Sequence, residues 1–207
     1  MTPHQQLEAG TNSLGLALDA GQLARLMQYL GLIQKWNRVH NLTALRDPQK
    51  MLTHHLLDSL TVLPHVRANR LLDVGSGAGL PGIPLAIARP DWEITLSDSN
   101  HKKSSFQQQA VIELGLSNVR VVPGRVEDIQ PGQKFEGAIS RAFSEIADFI
   151  ACTHHLLATT GRWYAMKGVR PDEELAQLPA GVEVERVVSL AVPGLDAQRH
   201  LIILKAV

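Results

Sequence analysis

One short glycine-rich stretch holds the residue types best suited to binding a small molecule. Residues 71–87 read LLDVGSGAGLPGIPLAI, with Asp73 at their start. Three glycines alternate with small residues there: Gly75, Gly77 and Gly79. Because a glycine has no Cβ, such a loop lets its backbone approach a ligand closely. About twenty residues further on, Asp98 ends the next apolar run, a position from which an acid hydrogen-bonds ribose hydroxyls. The pattern predicts a site for a nucleotide-like ligand.

The same loop fits two fingerprints. From Gly77 it spells the dinucleotide pattern G-x-G-x-x-G, and from Asp73 it spells D-x-G-x-G-x-G, the methyltransferase pattern. Against a dinucleotide, Pro81 and Pro84 lack the N–H groups that a pyrophosphate needs at a helix start. Asp73 would repel a pyrophosphate but suits a ligand with an ammonium group. We therefore predict S-adenosylmethionine, with its ribose at Asp98, and keep a nucleotide-dependent oxidoreductase of the NAD type as the alternative.

The elements that must position this loop are short apolar runs alternating with helical stretches. The runs predict strands at 70–75, 93–98, 119–124, 137–143 and 162–168, and helices between them at 83–88, 102–114 and 144–158. A short helix at 172–178 precedes two further apolar runs, 182–192 and 199–207, which have no helix between them. This order predicts an α/β fold of the Rossmann-like methyltransferase type, with a mostly parallel seven-stranded sheet that ends in an antiparallel hairpin. A ligand is expected beyond the carboxyl ends of the strands.

The first part of the chain reads as helical. Apolar residues recur at three- and four-residue steps from Leu23 to Trp36, after an Asp19 that suits a helix cap. A second cap at Asp47 opens a helix predicted to run without interruption to Pro64. We divide the chain into an N-terminal helical extension, 1–68, packed on a methyltransferase domain, 69–207, as one structural unit.

Composition and charge indicate the cellular compartment in which the protein is expected. The 207 residues carry 20 basic and 20 acidic side chains, but residues 1–70 hold seven Lys and Arg against four Asp and Glu. A single cysteine, Cys152, fits a reducing cytosol. No apolar run reaches the length of a membrane span, and the N-terminus has no signal-peptide pattern. We expect a cytoplasmic protein with no membrane segment.

The methyl acceptor is narrowed by devices that the sequence lacks. Methylation of a pyrimidine carbon needs a cysteine nucleophile, and Cys152 sits within a predicted helix as a packing residue. Methylation of an exocyclic amine usually shows an N/D-P-P-aromatic turn after the fourth strand, where this chain reads ISRAFSE. Guanine N7 needs neither device, because its free lone pair attacks the methyl group with no proton to remove. Catalysis then depends on orientation and on cations that hold the base.

Six stretches together resemble one family over nearly the whole chain from about residue 20. They are WNRVHNLT (36–43), HHLLDSL (54–60), DVGSGAGLPGIPLAI (73–87), GRVED (124–128), ISRAF (139–143) and YAMKG (164–168). In this order and spacing they look like the ribosomal RNA small subunit methyltransferase G family, also called glucose-inhibited division protein B. The resemblance implies a cytoplasmic bacterial enzyme that uses S-adenosylmethionine to methylate N7 of one guanine in the 530 loop of 16S rRNA, within the small ribosomal subunit.

The resemblance also implies site residues. The family's cofactor contacts fall on Gly75, Leu80, the pair Val126–Glu127 and Arg141, with Leu80 standing where a phenylalanine is commoner. With the residues reasoned above, the predicted cofactor-binding set is Asp73, Gly75, Ser76, Gly77, Leu80, Asp98, Ser99, Val126, Glu127 and Arg141. Arg141 and Lys167 are the predicted catalytic residues, and the predicted RNA contacts are Lys102, Lys103 and Lys167.

Two histidine pairs only superficially resemble metal ligands. His54–His55 and His154–His155 are adjacent in sequence, and adjacent residues on a helix point in different directions. We therefore expect no metal site, and we expect the protein to act as a monomer. A further alternative is a ribosome-binding module that keeps the fold without catalysing a reaction.

Overall fold

Seven strands form one sheet in the order β3-β2-β1-β4-β5-β7-β6 in the computed structural model, which describes residues 1–130, 132–141 and 143–207. The strands are β1 Arg70–Val74, β2 Glu93–Asp98, β3 Val119–Pro123, β4 Phe135–Arg141, β5 Leu157–Lys167, β6 Val182–Ser189 and β7 His200–Ala206. The first five are parallel, and β7 lies antiparallel between β5 and β6. The predicted mostly parallel sheet with a closing hairpin is confirmed.

Eight α-helices surround the sheet within these ranges. They are α1 Pro3–Ser13, α2 Ala20–His40, α3 Pro48–Met51, α4 Asp58–Leu60, α5 Gly82–Ala88, α6 His101–Glu113, α7 Ile146–Thr153 and α8 Asp172–Leu175. A π-helix, Leu52–Leu57, joins α3 to α4. Short 3₁₀ turns lie at Leu63–His65, Val126–Asp128 and His154–Leu156. No helix in the described ranges is long and apolar enough to cross a membrane.

The two faces of the sheet are covered by different helices, and each face has its own apolar core. Leu26 of α2, Ile83 of α5 and Phe106 of α6 belong to one core, and Phe149 of α7 belongs to the other. All seven residues of α5 are buried, as expected for a helix between the sheet and the N-terminal helices. Burial on both faces explains why the strands read as continuous apolar runs rather than alternating ones.

The N-terminal helices share their core with the sheet. Asp19 caps α2 in a capping box with Gln22, as the sequence predicts. The hydroxyl of Tyr29, which is fully buried, donates a hydrogen bond of 2.5 Å to the Ala78 carbonyl in the glycine loop. The extension therefore contacts the loop that the sequence singles out. The boundary between residues 68 and 69 stays a prediction.

Several elements differ from the sequence-based expectation: α8 ends at Leu175 rather than at residue 178, and β6 ends at Ser189 rather than at residue 192. The uninterrupted helix predicted from Asp47 to Pro64 contains the π-helical segment, which side-chain periodicity does not signal. β5 begins at Leu157, within the stretch predicted as helix, because Leu157 pairs with Phe135 of β4 beyond an irregularity in the register. The π-segment matters for the site, because π-helical turns inside helices are frequent at functional sites.

Candidate functional site

The glycine loop is held by its own backbone and by the end of β2. Gly75 N donates to the Ser97 carbonyl at 2.8 Å, and Gly77 N donates to Asp98 Oδ2 at 2.8 Å. Gly75 and Gly77 have φ of 65° and 59°, the left-handed region that favours glycine. A Cβ built on Gly75 would have no neighbour within 4 Å. The loop is thus fixed in shape and leaves open space in front of Gly75.

Asp73 lies beneath this loop and is fully buried. Its Oδ2 accepts a hydrogen bond of 2.7 Å from Gly82 N, whereas Oδ1 is buried without a partner. Burial raises the pKa of Asp73 to about 7, although the Gly82 N–H and the Arg141 charge act in the opposite direction. Asp73 therefore ties the end of β1 to the start of α5. Its predicted contact with the charged end of a ligand stays a prediction.

The start of α5 offers little to a pyrophosphate. Gly82 N is taken by Asp73, Ile83 N donates to the Gly79 carbonyl at 2.7 Å, and Pro84 has no N–H. Leu85 N donates to the Pro81 carbonyl at 3.1 Å. A dinucleotide fold relies on free N–H groups at this position. The geometry agrees with the sequence-based argument against a dinucleotide.

A cavity of about 290 Å³, which we call the first cavity, lies beyond the ends of β1, β2 and β3. Its lining residues are Val74, Gly75, Ser97, Asp98, Ser99, Gly124, Arg125, Val126, Glu127, Phe143 and Cys152. Asp98 contributes a carboxylate whose oxygens accept from Gly77 N and Asn100 N, both at 2.8 Å. A carboxylate has about four lone-pair sites, so Asp98 keeps acceptor capacity for hydroxyl groups.

The structure brings half of the predicted cofactor-binding set to this cavity. The lining members are Gly75, Asp98, Ser99, Val126 and Glu127. The members outside the lining are Asp73, Ser76, Gly77, Leu80 and Arg141. Ser76 and Leu80 are buried, and the Ser76 hydroxyl donates to the Ser97 carbonyl at 3.1 Å. Ser76 and Leu80 therefore support the loop on its buried side. The predicted ligand contacts of all five residues outside the lining stay predictions.

Six lining residues were not among the predicted site residues: Val74, Ser97, Gly124, Arg125, Phe143 and Cys152. Gly124 has φ of 116°, and a glycine directly after the third strand was the available sequence signal for it. Burial, with a smaller effect of Glu127, raises the pKa of Cys152 to about 11. The thiol is therefore protonated at neutral pH and is not a nucleophile, which agrees with the sequence-based view of Cys152.

A second cavity, of about 530 Å³, lies over the ends of β4 and β5 and the start of β7. Its lining residues are Thr43, Ala44, Leu45, His54, His55, Asp58, Arg141, Met166, Lys167, Gly168, Leu190, Arg199 and His200. β1 pairs in parallel with β2 on one side and β4 on the other, so the strand order reverses between β1 and β4. The two cavities flank this reversal, where open α/β sheets bind their ligands.

An ion-pair cluster forms one wall of the second cavity. Arg141 Nη1 lies 3.2 Å from Asp58 Oδ2 and donates to the His54 carbonyl at 2.8 Å. Arg199 Nε donates to Asp58 Oδ1 at 3.0 Å. Sequence reasoning found Arg141 but missed Asp58 and Arg199, which are 141 residues apart. The only feature of the sequence that pointed to this pair was the position of Asp58 within the stretch HHLLDSL.

The predicted lysines lie in different surroundings. Lys167 Nζ contacts both carboxylate oxygens of Glu174 at 2.9 Å and the carbonyls of Phe143 and Ser144. These contacts hold the Lys167 ammonium in the wall of the second cavity. The predicted roles of Lys167 in catalysis and in RNA contact stay predictions. Lys102 is exposed and Lys103 is partly buried, in the first turn of α6, which begins two residues after the lining residue Ser99. Their predicted contact with RNA also stays a prediction.

His55 is the buried histidine of the π-helix. Burial and, to a smaller extent, the nearby Arg141 charge lower the pKa of His55 to about 4. Its Nδ1 is buried without a partner, and Nε2 lies 3.4 Å from Thr43 Oγ1. His55 is therefore neutral at physiological pH. Among the described residues, no group of three His, Cys, Asp or Glu side chains is placed to hold a metal ion.

The sheet order, the glycine loop and the acid that ends β2 define a Rossmann-like methyltransferase fold. The glycopeptide N-methyltransferase MtfA, solved in complex with S-adenosyl-L-homocysteine, has a similar fold, with a TM-score of 0.63 and 11% identity. The match covers 74% of this chain and 87% of MtfA. This likeness concerns the fold alone.

Sequence comparison identifies the family. The family model GidB, described as rRNA small subunit methyltransferase G, matches residues 22–202. A protein of Laribacter hongkongensis named ribosomal RNA small subunit methyltransferase G is 57% identical over 202 residues, covering 98% of both chains. The protein of that name from Nitrosospira multiformis is 56% identical over 212 residues, covering 99% of this chain and 98% of its own. The chain belongs to the rRNA small subunit methyltransferase G family.

Proposed function

We propose that this protein transfers a methyl group from S-adenosylmethionine to N7 of a guanine in the 530 loop of 16S rRNA. The observation that carries the proposal is the pair of cavities on either side of the β1–β4 reversal. One has the features of a nucleoside site and the other is walled by cations. The family name and the names of the relatives support a ribosomal RNA substrate.

The first cavity fits S-adenosylmethionine. A Cβ on Gly75 or on Gly124 would meet nothing within 4 Å, so both glycines leave room in front of the backbone. Asp98 would accept from ribose hydroxyls, and Val126 with Phe143 would contact the adenine through apolar surface. When bound, S-adenosylmethionine supplies a methyl group made electrophilic by its sulfonium. The residues of the first cavity would hold and orient that molecule without taking part in proton transfer.

The second cavity suits an acceptor that needs orientation rather than deprotonation. Its buried histidine, His55, has a pKa of about 4, far below that of a base poised for neutral pH. The Asp58 carboxylate is engaged by two arginines. Guanine N7 carries no proton, so an acceptor held by Arg141 and Arg199 requires no general base. This chemistry supports N7 over an exocyclic amine as the acceptor atom.

The substrate form, location and oligomeric state complete the proposal. A guanine must leave its stacked position to reach a cavity, which favours a loop over a duplex. Exposed cations such as Lys102, in the first turn of α6, would contact RNA phosphates. We place the reaction in the cytoplasm and propose that one copy of the chain is sufficient for it.

The test is methyl transfer to RNA followed by mapping of the product. Purified protein is incubated with methyl-labelled S-adenosylmethionine and either naked 16S rRNA or assembled small subunits. Reduction and aniline cleavage then locate any N7-methylguanine. We expect one cleavage site, within the 530 loop. Label on another atom or another loop would contradict the proposed acceptor. Binding of NAD(H) in place of S-adenosylmethionine would favour the oxidoreductase, and RNA binding without transfer would favour a non-catalytic module.

A further inference from the structure

Asp58 is the most buried charged group in the wall of the second cavity. Its side chain is 4% exposed, whereas the side chains of Arg141 and Arg199 are 23% and 25% exposed. The carboxylate therefore lies behind the two guanidinium groups, and the guanidinium groups lie at the cavity surface. Each oxygen of Asp58 contacts a different arginine. The carboxylate is a bridge between two partly exposed cations.

This arrangement has a clear electrostatic basis. A buried carboxylate is costly unless it is paired and hydrogen-bonded, and here both oxygens are paired. In turn, the negative charge between Arg141 and Arg199 offsets the repulsion between two neighbouring cations. Without it, each guanidinium group would lose its carboxylate partner and keep only a carbonyl contact, that of His54 for Arg141 and that of Gln198 for Arg199. Asp58 thus fixes the position of both guanidinium groups.

The π-helix contributes to the same placement. Arg141 Nη1 donates to the carbonyl of His54, which lies in the π-helix, and to the carboxylate of Asp58, the first residue of α4. One guanidinium nitrogen is thereby held from two directions. Arg199, from the residues just before β7, is held by the other oxygen of Asp58. Three distant parts of the chain meet at one carboxylate.

We propose that Asp58 is a positioning residue for methyl transfer: it holds Arg141 and Arg199 at the surface of the second cavity, where the two cations orient the acceptor base. The inference rests on the proposed function. Asp58 acts through the arginines and does not itself contact the RNA. Its removal would leave the cofactor site intact but misplace the acceptor.

Asp58→Asn is the direct test. The amide keeps the shape of the side chain but turns one acceptor into a donor that faces an arginine. Since a misplacement of about 1 Å costs about 100-fold in rate, we expect single-turnover methylation to fall about 100-fold. The affinity for S-adenosylmethionine should stay the same. RNA affinity should be retained or increased, because the variant loses a negative charge near the RNA-facing surface.

Glu185→Gln is the matched control. Glu185 also binds an arginine through both oxygens, at 2.6 and 2.9 Å from Arg162, and neither residue lines either cavity. This variant should methylate RNA at the wild-type rate. If Asp58→Asn also methylates at that rate while the wild-type protein is active, the inference is overturned and the proposed function stands. If the wild-type protein transfers no methyl group, the proposed function itself fails.

A double-mutant cycle separates positioning from general support of the fold. If Asp58 acts partly through Arg199, the loss caused by Asp58→Asn should shrink from about 100-fold to about 10-fold in an Arg199→Gln background. An equal loss in both backgrounds would show independent action and overturn the inference. Parallel loss of S-adenosylmethionine affinity and thermal stability in Asp58→Asn would likewise assign Asp58 a purely structural role.

Discussion

The two cavities are built by different means. Around the first cavity, the groups that fix the site are mainly backbone atoms, as in the contacts of Gly75 N with Ser97 O and of Gly77 N with Asp98. Around the second cavity, the fixing groups are charged side chains, with Asp58 between Arg141 and Arg199 and with Lys167 on Glu174. One site is set by backbone contacts between the glycine loop and the end of β2, and the other by ion pairs, of which those of Asp58 join residues 83 and 141 positions apart.

The difference has consequences for how each site fails. A site built from backbone atoms is damaged when a glycine is replaced by a larger residue, because the added side chain occupies the space in front of the loop. A site built from ion pairs is damaged when one partner is removed, because the remaining charges lose their positions. Substitutions in the first cavity should therefore change cofactor affinity, and those in the second should change the rate on RNA.

The largest effect is expected for Arg141→Ala. Arg141 lines the second cavity and contacts both Asp58 and the His54 carbonyl. Loss of a preorganised charged donor in an active site costs about 100- to 1000-fold in rate, and we expect a single-turnover loss in that range. Arg141→Lys should recover only a small part, because an ammonium lacks the planar set of donors. Methylation by Arg141→Ala at the wild-type rate would remove this residue from the site.

The next effect concerns Gly75→Val, which should weaken S-adenosylmethionine binding by about 100-fold because a branched side chain fills the space in front of the loop. Gly115→Val is the matched control: its φ of 63° is close to the 65° of Gly75, and its Cβ would also meet nothing within 4 Å. Both variants carry the same backbone strain, so their loss of stability should be similar. Equal cofactor affinity in the two, measured by calorimetry, would contradict the assignment of the first cavity.

The pH dependence of stability should reveal the buried His55. Its pKa is about 4 in the folded protein, below its ordinary value, so between these values the unfolded chain binds a proton that the folded chain does not. This contribution is present above an ordinary histidine pKa and is lost as pH falls. From about pH 7.5 to about pH 5, it should lower the free energy of unfolding by about 2 kcal/mol.

Urea unfolding of His55→Gln measures this contribution. Asp73, whose pKa is raised to about 7, changes stability in the opposite direction, but it is common to both proteins and cancels in their difference. The variant should lose about 2 kcal/mol less than the wild-type protein between the two pH values. His101→Gln, at an exposed histidine, should follow the wild-type curve. If His55→Gln also follows that curve, His55 is not held neutral by burial.

A smaller effect is expected for the two lysines in the first turn of α6. Replacing Lys102 and Lys103 by Gln should weaken RNA binding several-fold and reduce the slope of log affinity against log salt by about 1 to 2, since each phosphate contact releases counterions. Arg186 and Lys205 on the β6–β7 hairpin, replaced in the same way, provide a control with the same change in charge. Equal slopes for the two double variants would show that the lysines are ordinary solvated charges.

The sequence predicts the residues around the first cavity far better than those around the second cavity, for physical reasons. The strands, the Asp19 cap and the loop from Gly75 to Gly79 depend on the local spacing of residues, so the sequence pattern predicts them. The bridge from Asp58 to Arg199 spans 141 residues, and no local spacing encodes it. The π-segment was missed because its apolar pattern reads as an ordinary α-helix.

The position of each residue relative to the glycine loop also explains why only half of the predicted cofactor-binding residues line the first cavity. Gly75, whose backbone is exposed, lines the first cavity together with Asp98, which is buried but reaches the cavity from the end of β2. Ser76 in the loop and Asp73 near the end of β1 face inward, are buried and hold the loop in shape. Sequence spacing identifies the loop but does not distinguish its outward side from its inward side.

The most direct test of this division of roles is a calorimetric titration of S-adenosylmethionine into Arg199→Gln. Arg199 lines the second cavity and not the first. We predict a cofactor affinity equal to that of the wild-type protein, together with a reduced rate of RNA methylation by the same preparation. Cofactor binding weakened in proportion to the loss of rate would contradict the account, because the two cavities would then form one undivided site.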